Sequence, residues 1–123
     1  MYEITVKTHF AGAHFLREYK GKCENLHGHN WIVKATLCGN ELGDSGILYD
    51  FKLLKRDLNE IIDEFDHTLL NDHPEFKVQN PSAERIAEYV YKQLQNKITG
   101  LNVKVKEISV HESMNSWAVY KES

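Results

Sequence analysis

The sequence has few cysteines and no long apolar run. These two features argue against a disulfide-rich secreted protein and against a membrane protein. Two cysteines in 123 residues are too few for the disulfide framework of a small secreted domain. The N-terminal Met1-Tyr2-Glu3-Ile4 has no apolar core of the kind a signal peptide needs, and no run is long enough to span a bilayer. We therefore expect a cytoplasmic protein with reduced thiols and no membrane partner.

An excess of positive charge is also missing. Fifteen Lys and Arg residues against eighteen Asp and Glu residues give a formal net charge of -3, which argues against nucleic acid as the main partner. No repeat, low-complexity tract or linker interrupts the chain. Its length and its hydrophobic content of 41% fit one domain over residues 1–123 with a sizeable core.

Histidines at metal-ligand spacing are the most informative feature that is present. Cys23 lies four residues before His27, and His29 follows at the alternate position. Alternate side chains of a strand project from one face, so His27 and His29 would lie together. A third imidazole from a neighbouring strand would make a three-nitrogen site, and His14 lies upstream. Three protein ligands with one open position are typical of catalytic zinc. A thiol beside such a site can serve as a base or nucleophile, so the pattern predicts a metalloenzyme.

Hydrophobic periodicity predicts two helices between two pairs of strands. A stripe from Phe51 to Phe65 predicts a helix over about 51–65, capped by Asp50. Asn80-Pro81-Ser82 is expected to open a second helix, with Asn80 as the cap, and Gly100 to end it. Alternating patterns predict strands at 2–14, 29–39, 102–112 and 116–121, with a loop at 15–26 and a turn at 39–46.

The predicted order ββααββ indicates an α+β fold. We expect a four-stranded antiparallel sheet with both helices on one face. The opposite face would then need a partner, which favours an oligomer.

Five segments in a fixed order make the chain resemble the 6-pyruvoyl-tetrahydropterin synthase / 6-carboxy-tetrahydropterin synthase family. They cover residues 10–14, 23–29, 66–71, 80–84 and 111–113. The resemblance implies the tunnelling fold, in which subunits join their sheets into a barrel, and we expect a homohexamer built as a dimer of trimers. It also implies active sites between subunits and the small-molecule substrate 7,8-dihydroneopterin triphosphate.

The resemblance assigns roles to individual residues. His14, His27 and His29 match the family's ligands for Zn2+, whereas Cys23, Asp66 and His67 match its catalytic residues. Glu112 matches the residue that binds the pterin ring, and Glu84 is a second candidate for substrate binding. Without the resemblance, Asp66-His67 could be only a helix-end cap, Glu112 an exposed strand residue and Glu84 a residue that favours a helix start.

The implied reaction is that of a zinc-dependent lyase of queuosine biosynthesis, which forms 6-carboxy-5,6,7,8-tetrahydropterin, acetaldehyde and triphosphate. The alternative is a 6-pyruvoyl-tetrahydropterin synthase. Glu24, beside Cys23, could add the activity that forms 6-hydroxymethyl-dihydropterin for folate, or it could be a plain loop acid.

Two further classes compete with the enzyme. A pterin- or purine-binding protein would not need Cys23 or His67, and a structural zinc module would close its site with four ligands, usually including cysteines. Arg17, Lys20 and Lys22 could attract a triphosphate or could be a solvated loop face. The remaining histidines, His9, His73 and His111, and the thiol of Cys38 are expected to be structural or surface groups.

Overall fold

The computed structural model describes residues 1–19, 25–98 and 102–123. Its strands and helices, in chain order, are β1 (Tyr2–His14), β2 (His27–Gly39), α1 (Phe51–Ile62), β3 (Thr68–Leu69), α2 (Ala83–Lys97), β4 (Lys104–Ser113) and β5 (Ser116–Tyr120). Two short 3-10 helices, Leu70–Asp72 and Pro74–Phe76, connect β3 to α2. Within these ranges no helix has the length and apolarity that crossing a bilayer requires.

The strands form one sheet in the order β3-β1-β2-β4-β5. The four long strands pair antiparallel, as expected, and β1 pairs with β2 from Tyr2↔Gly39 to His14↔His27. The parallel strand β3 meets β1 only at Gly12↔Thr68 and Ala13↔Leu69. Because β3 has two residues, it carries no alternating pattern, and the sequence did not predict it.

Both helices cover the same face of the sheet, as the ββααββ order predicted. Their buried apolar side chains share one core with the inward-facing residues of the strands, among them Phe10, Trp31, Val33, Ile108 and Val110. On the other face Trp117 and Val119 of β5 are 57% and 43% exposed. The His111 ring stacks on Trp117, yet both side chains of β5 keep this exposure.

Helix α1 ends at Ile62, three residues before the predicted end. The N–H of Asp63 bonds back to the carbonyl of Asn59, and the N–H of Phe65 bonds to the carbonyl of Ile62 in a tighter turn. Phe65 is nevertheless fully buried. Phe65 is therefore apolar because it lies in the core, and not because it belongs to the helix.

Ser82 caps helix α2, so the prediction of Asn80 as the cap was wrong. The Ser82 hydroxyl accepts a hydrogen bond from the N–H of Arg85, while the Asn80 side chain bonds the backbone of Arg17. Pro81 consequently precedes the helix. The helix ends at Lys97, and Ile98 already has an extended backbone, so the predicted end at Gly100 was three residues too late.

Candidate active site

The three predicted ligands meet at one end of the sheet, and we call His14, His27 and His29 the histidine cluster. His14 is the last residue of β1 and pairs with His27, the first of β2. The ring of His14 lies 4.6 Å from that of His27 and 5.2 Å from that of His29, and the latter two rings are 4.6 Å apart. Strand pairing thus places all three imidazoles on the face that carries the helices.

Trp31 forms the floor of the cluster. It continues the alternate row of β2, and its ring lies 4.9 Å from His14 and 5.2 Å from His29. The indole N–H donates to the carbonyl of Gly12 at 3.1 Å, which fixes the ring. A buried aromatic floor restricts the imidazole rotamers and keeps water from one side of the site.

Backbone carbonyls determine the tautomers of two histidines. His14 Nδ1 lies 2.8 Å from the carbonyl oxygen of Pro81, and His27 Nδ1 lies 2.9 Å from that of Asn25. A carbonyl oxygen only accepts, so each Nδ1 carries the hydrogen and donates it. When neutral, each ring then presents the lone pair of Nε2, which is the arrangement of metal-binding histidines oriented by an outer partner.

Glu112 adds a carboxylate to the cluster. Its Oε1 lies 2.8 Å from Nε2 of His29, 3.4 Å from that of His14 and 3.7 Å from that of His27. Four ligand atoms, one from each of these residues, lie within 4.8 Å of one another. Two ligands of a tetrahedral ion with bonds of 2.0–2.2 Å are about 3.3–3.6 Å apart, so these four atoms lie close to the spacing that a divalent cation needs.

The burial of His14 also supports a cation at the centre of the histidine cluster. The side chain is only 2% exposed, and within the described part of the chain its Nε2 makes no hydrogen bond. A buried lone pair without a partner is unfavourable, whereas a cation at the centre of the cluster would satisfy it. The residues present therefore fit a metal such as zinc.

Asp66 and His67 form a pair beside β1. Asp66 Oδ1 accepts the N–H of Ala11 at 3.0 Å, and Asp66 Oδ2 lies 3.0 Å from His67 Nδ1. The bond from Ala11 is the main cause that holds the pKa of Asp66 below its usual value. An ionised aspartate on Nδ1 leaves Nε2 of the exposed imidazole to exchange protons.

The backbone of His67 has a φ of +59°, a left-handed conformation that non-glycine residues adopt at a cost. Its N–H donates to the carbonyl of Ala11 at 2.6 Å, which stabilises that conformation. The side chain is 81% exposed and lines an open cavity of about 440 Å³. Ala11, Ala13 and Asn30 also line it, and so does His29, so the cavity lies between His67 and one member of the histidine cluster.

Glu84 lies in the first turn of α2, where a carboxylate also favours the helix start. It lines a cavity of about 170 Å³ together with Glu112, Ala83 and Trp117. The two candidate ring-binding carboxylates therefore border one cavity next to the histidine cluster.

Several predicted groups fall outside the described residues: Lys20, Lys22, Cys23 and Glu24. Arg17 is described, and its guanidinium donates to the carbonyls of Gln79 at 3.1 Å and Asn71 at 3.3 Å. These bonds favour a structural role for Arg17 over attraction of a triphosphate.

The remaining polar groups have structural contacts. His73 Nε2 lies 2.8 Å from Glu64 Oε1 and its Nδ1 accepts the N–H of Glu75. His111 stacks on Trp117, and burial lowers its pKa. Cys38 is buried in β2.

Known proteins resemble the chain over almost its whole length. A family profile described as 6-pyruvoyl tetrahydropterin synthase matches residues 3–123. The 6-carboxy-5,6,7,8-tetrahydropterin synthase of Bacillus subtilis is 35% identical over 127 residues, covering 98% of this chain and 85% of that protein.

Solved structures share the fold. The Caenorhabditis elegans 6-pyruvoyl tetrahydropterin synthase superposes with a TM-score of 0.84 at 28% identity, covering 100% of this chain and 98% of that one. A Plasmodium vivax 6-pyruvoyltetrahydropterin synthase superposes with a TM-score of 0.81 at 26% identity, covering 99% and 98%. That protein carries a glutamate-to-alanine substitution at what its name calls a catalytic residue.

Proposed function

Because the chain belongs to the 6-pyruvoyl tetrahydropterin synthase family, we propose that it is a zinc-dependent lyase acting on 7,8-dihydroneopterin triphosphate. The proposed products are 6-carboxy-5,6,7,8-tetrahydropterin, acetaldehyde and triphosphate, formed for queuosine biosynthesis. The observation that carries the proposal is the convergence of the histidine cluster, with the tautomers of His14 and His27 set by carbonyls. The Bacillus subtilis relative supports this product over others.

His14, His27 and His29 would hold the ion, and Glu112 would neutralise part of its charge. When bound, the ion acidifies a substrate hydroxyl. Cys23 is assigned the removal of a proton from a side-chain carbon of the substrate, a role for which the thiolate form is needed. His67, oriented by Asp66, is assigned proton transfer on the other face of the substrate.

Pterin binding is assigned to the cavity between Glu84 and Glu112. A carboxylate can accept two hydrogen bonds from the ring N–H and the exocyclic amine of a pterin. Oε1 of Glu112 is close to His29, so Glu84, which lines the same cavity, is assigned a share in the recognition of the ring.

We further propose that the working enzyme is a homo-oligomer, expected to be a homohexamer. One feature supports assembly: Trp117 and Val119 are exposed on the sheet face opposite the helices.

A second candidate is 6-pyruvoyl-tetrahydropterin synthesis, or a dual activity that also forms 6-hydroxymethyl-dihydropterin. The catalytic glutamate named in the Plasmodium vivax relative favours testing Glu24, which directly follows Cys23. A pterin-binding protein without catalysis is the alternative outside the enzymes.

Product identification separates these candidates. Zinc-loaded protein is incubated with 7,8-dihydroneopterin triphosphate, and the pterins are identified by mass, with Glu24→Ala in parallel. A 6-carboxy product that persists in Glu24→Ala supports the proposal. A three-carbon side chain on the product supports the pyruvoyl reaction, a hydroxymethyl product lost in Glu24→Ala supports dual activity, and bound but unchanged substrate supports a binding protein.

A further inference from the structure

The segment that follows His14 is held by two asparagine side chains rather than by a strand. Asn71 Oδ1 accepts the N–H of Phe15 at 3.0 Å, and its Nδ2 donates to the carbonyl of Phe15 at 2.9 Å. Asn80 Oδ1 accepts the N–H of Arg17 at 2.7 Å, and its Nδ2 donates to the carbonyl of Arg17 at 3.1 Å. We call Asn71 and Asn80 the amide clamp.

The clamp needs an amide at both positions. Each side chain offers one acceptor and one donor to a single residue, as a neighbouring strand would. A carboxylate lacks the donor, and a hydroxyl cannot span both groups. Asn71 is only 4% exposed, and a buried amide with both groups satisfied is strongly oriented.

The clamp also connects to the histidine cluster. Asn80 directly precedes Pro81, whose buried carbonyl accepts the Nδ1–H of His14. The guanidinium of Arg17 bonds the carbonyls of Asn71 and Gln79, which joins the two halves of the clamp. The position of the Pro81 carbonyl relative to His14 is therefore set by bonds that hold residues 15–17 against residues 71–81.

We propose that Asn71 and Asn80 are positioning residues for metal binding, because they hold the Pro81 carbonyl in line with His14 Nδ1 and so aim His14 Nε2 at the centre of the cluster. This inference rests on the proposed metal-dependent function. Loss of an outer partner of a metal ligand weakens metal binding by about 10–100-fold. Since Asn80 directly precedes that partner and Asn71 bonds Phe15, which directly follows His14, both act indirectly, and we expect a loss at the lower end of this range.

The experiment compares Asn80→Ala with Gln95→Ala in full-length protein. Gln95 is a matched control, since its side-chain amide accepts the N–H of Val105 at 3.0 Å from helix α2, away from the histidine cluster. Zinc affinity is measured by competition with a chromophoric chelator. The stability of the metal-free protein is measured by urea unfolding, and the His14 Nδ1–H is observed by NMR in the metal-free state.

We expect both variants to lose stability, but only Asn80→Ala to bind zinc about tenfold more weakly and to show faster exchange of the His14 Nδ1–H. If Asn80→Ala does not fold, Asn80→Ser, which keeps an acceptor, is used with the same readouts. Zinc affinity and Nδ1–H exchange equal to those of Gln95→Ala would overturn the inference. Wild-type protein that binds no zinc would instead refute the metal site of the proposed function, so the two failures are distinguishable.

Discussion

Replacement of His14 and of His27 by alanine should have the same effect on metal binding but different effects on stability. Both residues are proposed ligands, so each variant should lose most of its zinc. Their surroundings differ, because His14 is 2% exposed whereas the side chain of His27 is 34% exposed.

The stability difference follows from the contacts of each ring. Without His14, the buried carbonyl of Pro81 loses its donor, which costs about 1–3 kcal/mol, and the ring leaves a cavity beside Trp31. We therefore expect His14→Ala to lower the free energy of unfolding of the metal-free protein by about 2–4 kcal/mol. His27→Ala removes a partly exposed ring bonded to an exposed carbonyl, so its effect should stay within about 0.5 kcal/mol.

The assay is urea unfolding of chelator-treated protein, at one protein concentration because subunit association contributes to apparent stability. Zinc content of each purified variant is measured in parallel. Equal losses of stability in the two variants would refute the reasoning about His14 and Pro81. Zinc content equal to that of wild type in either variant would remove that histidine from the site.

Three other changes test the remaining assignments. Cys23→Ala should keep zinc and pterin binding but lose about 10²–10⁴-fold in turnover, and near-normal product formation would remove Cys23 from the chemistry. Glu112→Gln should weaken neopterin binding in calorimetry at least tenfold, because a hydrogen bond to a charged group contributes about 1.5–3 kcal/mol; an equal effect of the control Glu107→Gln, on the same strand, would contradict the assignment. The lowered pKa of Asp66 means that its ionised form stabilises the fold above about pH 4, and that this stabilisation is lost as pH falls through the folded-state pKa. Asp66→Asn should therefore lose less stability than wild type between pH 4 and 2 in acid unfolding followed by circular dichroism, and identical acid profiles would contradict this.

Local patterns in the sequence were sufficient to predict the two helices, the long strands and the convergence of the histidines. Alternation places His27 and His29 on one face, and pairing of β1 with β2 brings His14 opposite His27. The end of α1 could not be predicted, because Phe65 continues the apolar stripe from a turn. Strand β3 is too short to carry a pattern.

Two features of the site depend on contacts between distant parts of the chain, and local patterns in the sequence did not indicate them. Glu112 lies beside the cluster because β4 pairs with β2 at Ile32↔His111, after a shift of register between Thr36 and Leu37. No local pattern in the sequence of β4 predicts that shift of register. Likewise, Asn80 has the sequence context of a helix cap, and only its contact with Arg17, distant along the chain, reveals its other role.

The central claim is that the histidine cluster holds the zinc on which turnover depends. The most direct measurement strips the protein with a chelator, adds zinc in steps and records the rate of pterin product formation from 7,8-dihydroneopterin triphosphate. We expect the rate to rise linearly and to level off at one zinc per chain, with no recovery in His27→Ala. Turnover by the stripped protein equal to that of the reconstituted protein would contradict the claim.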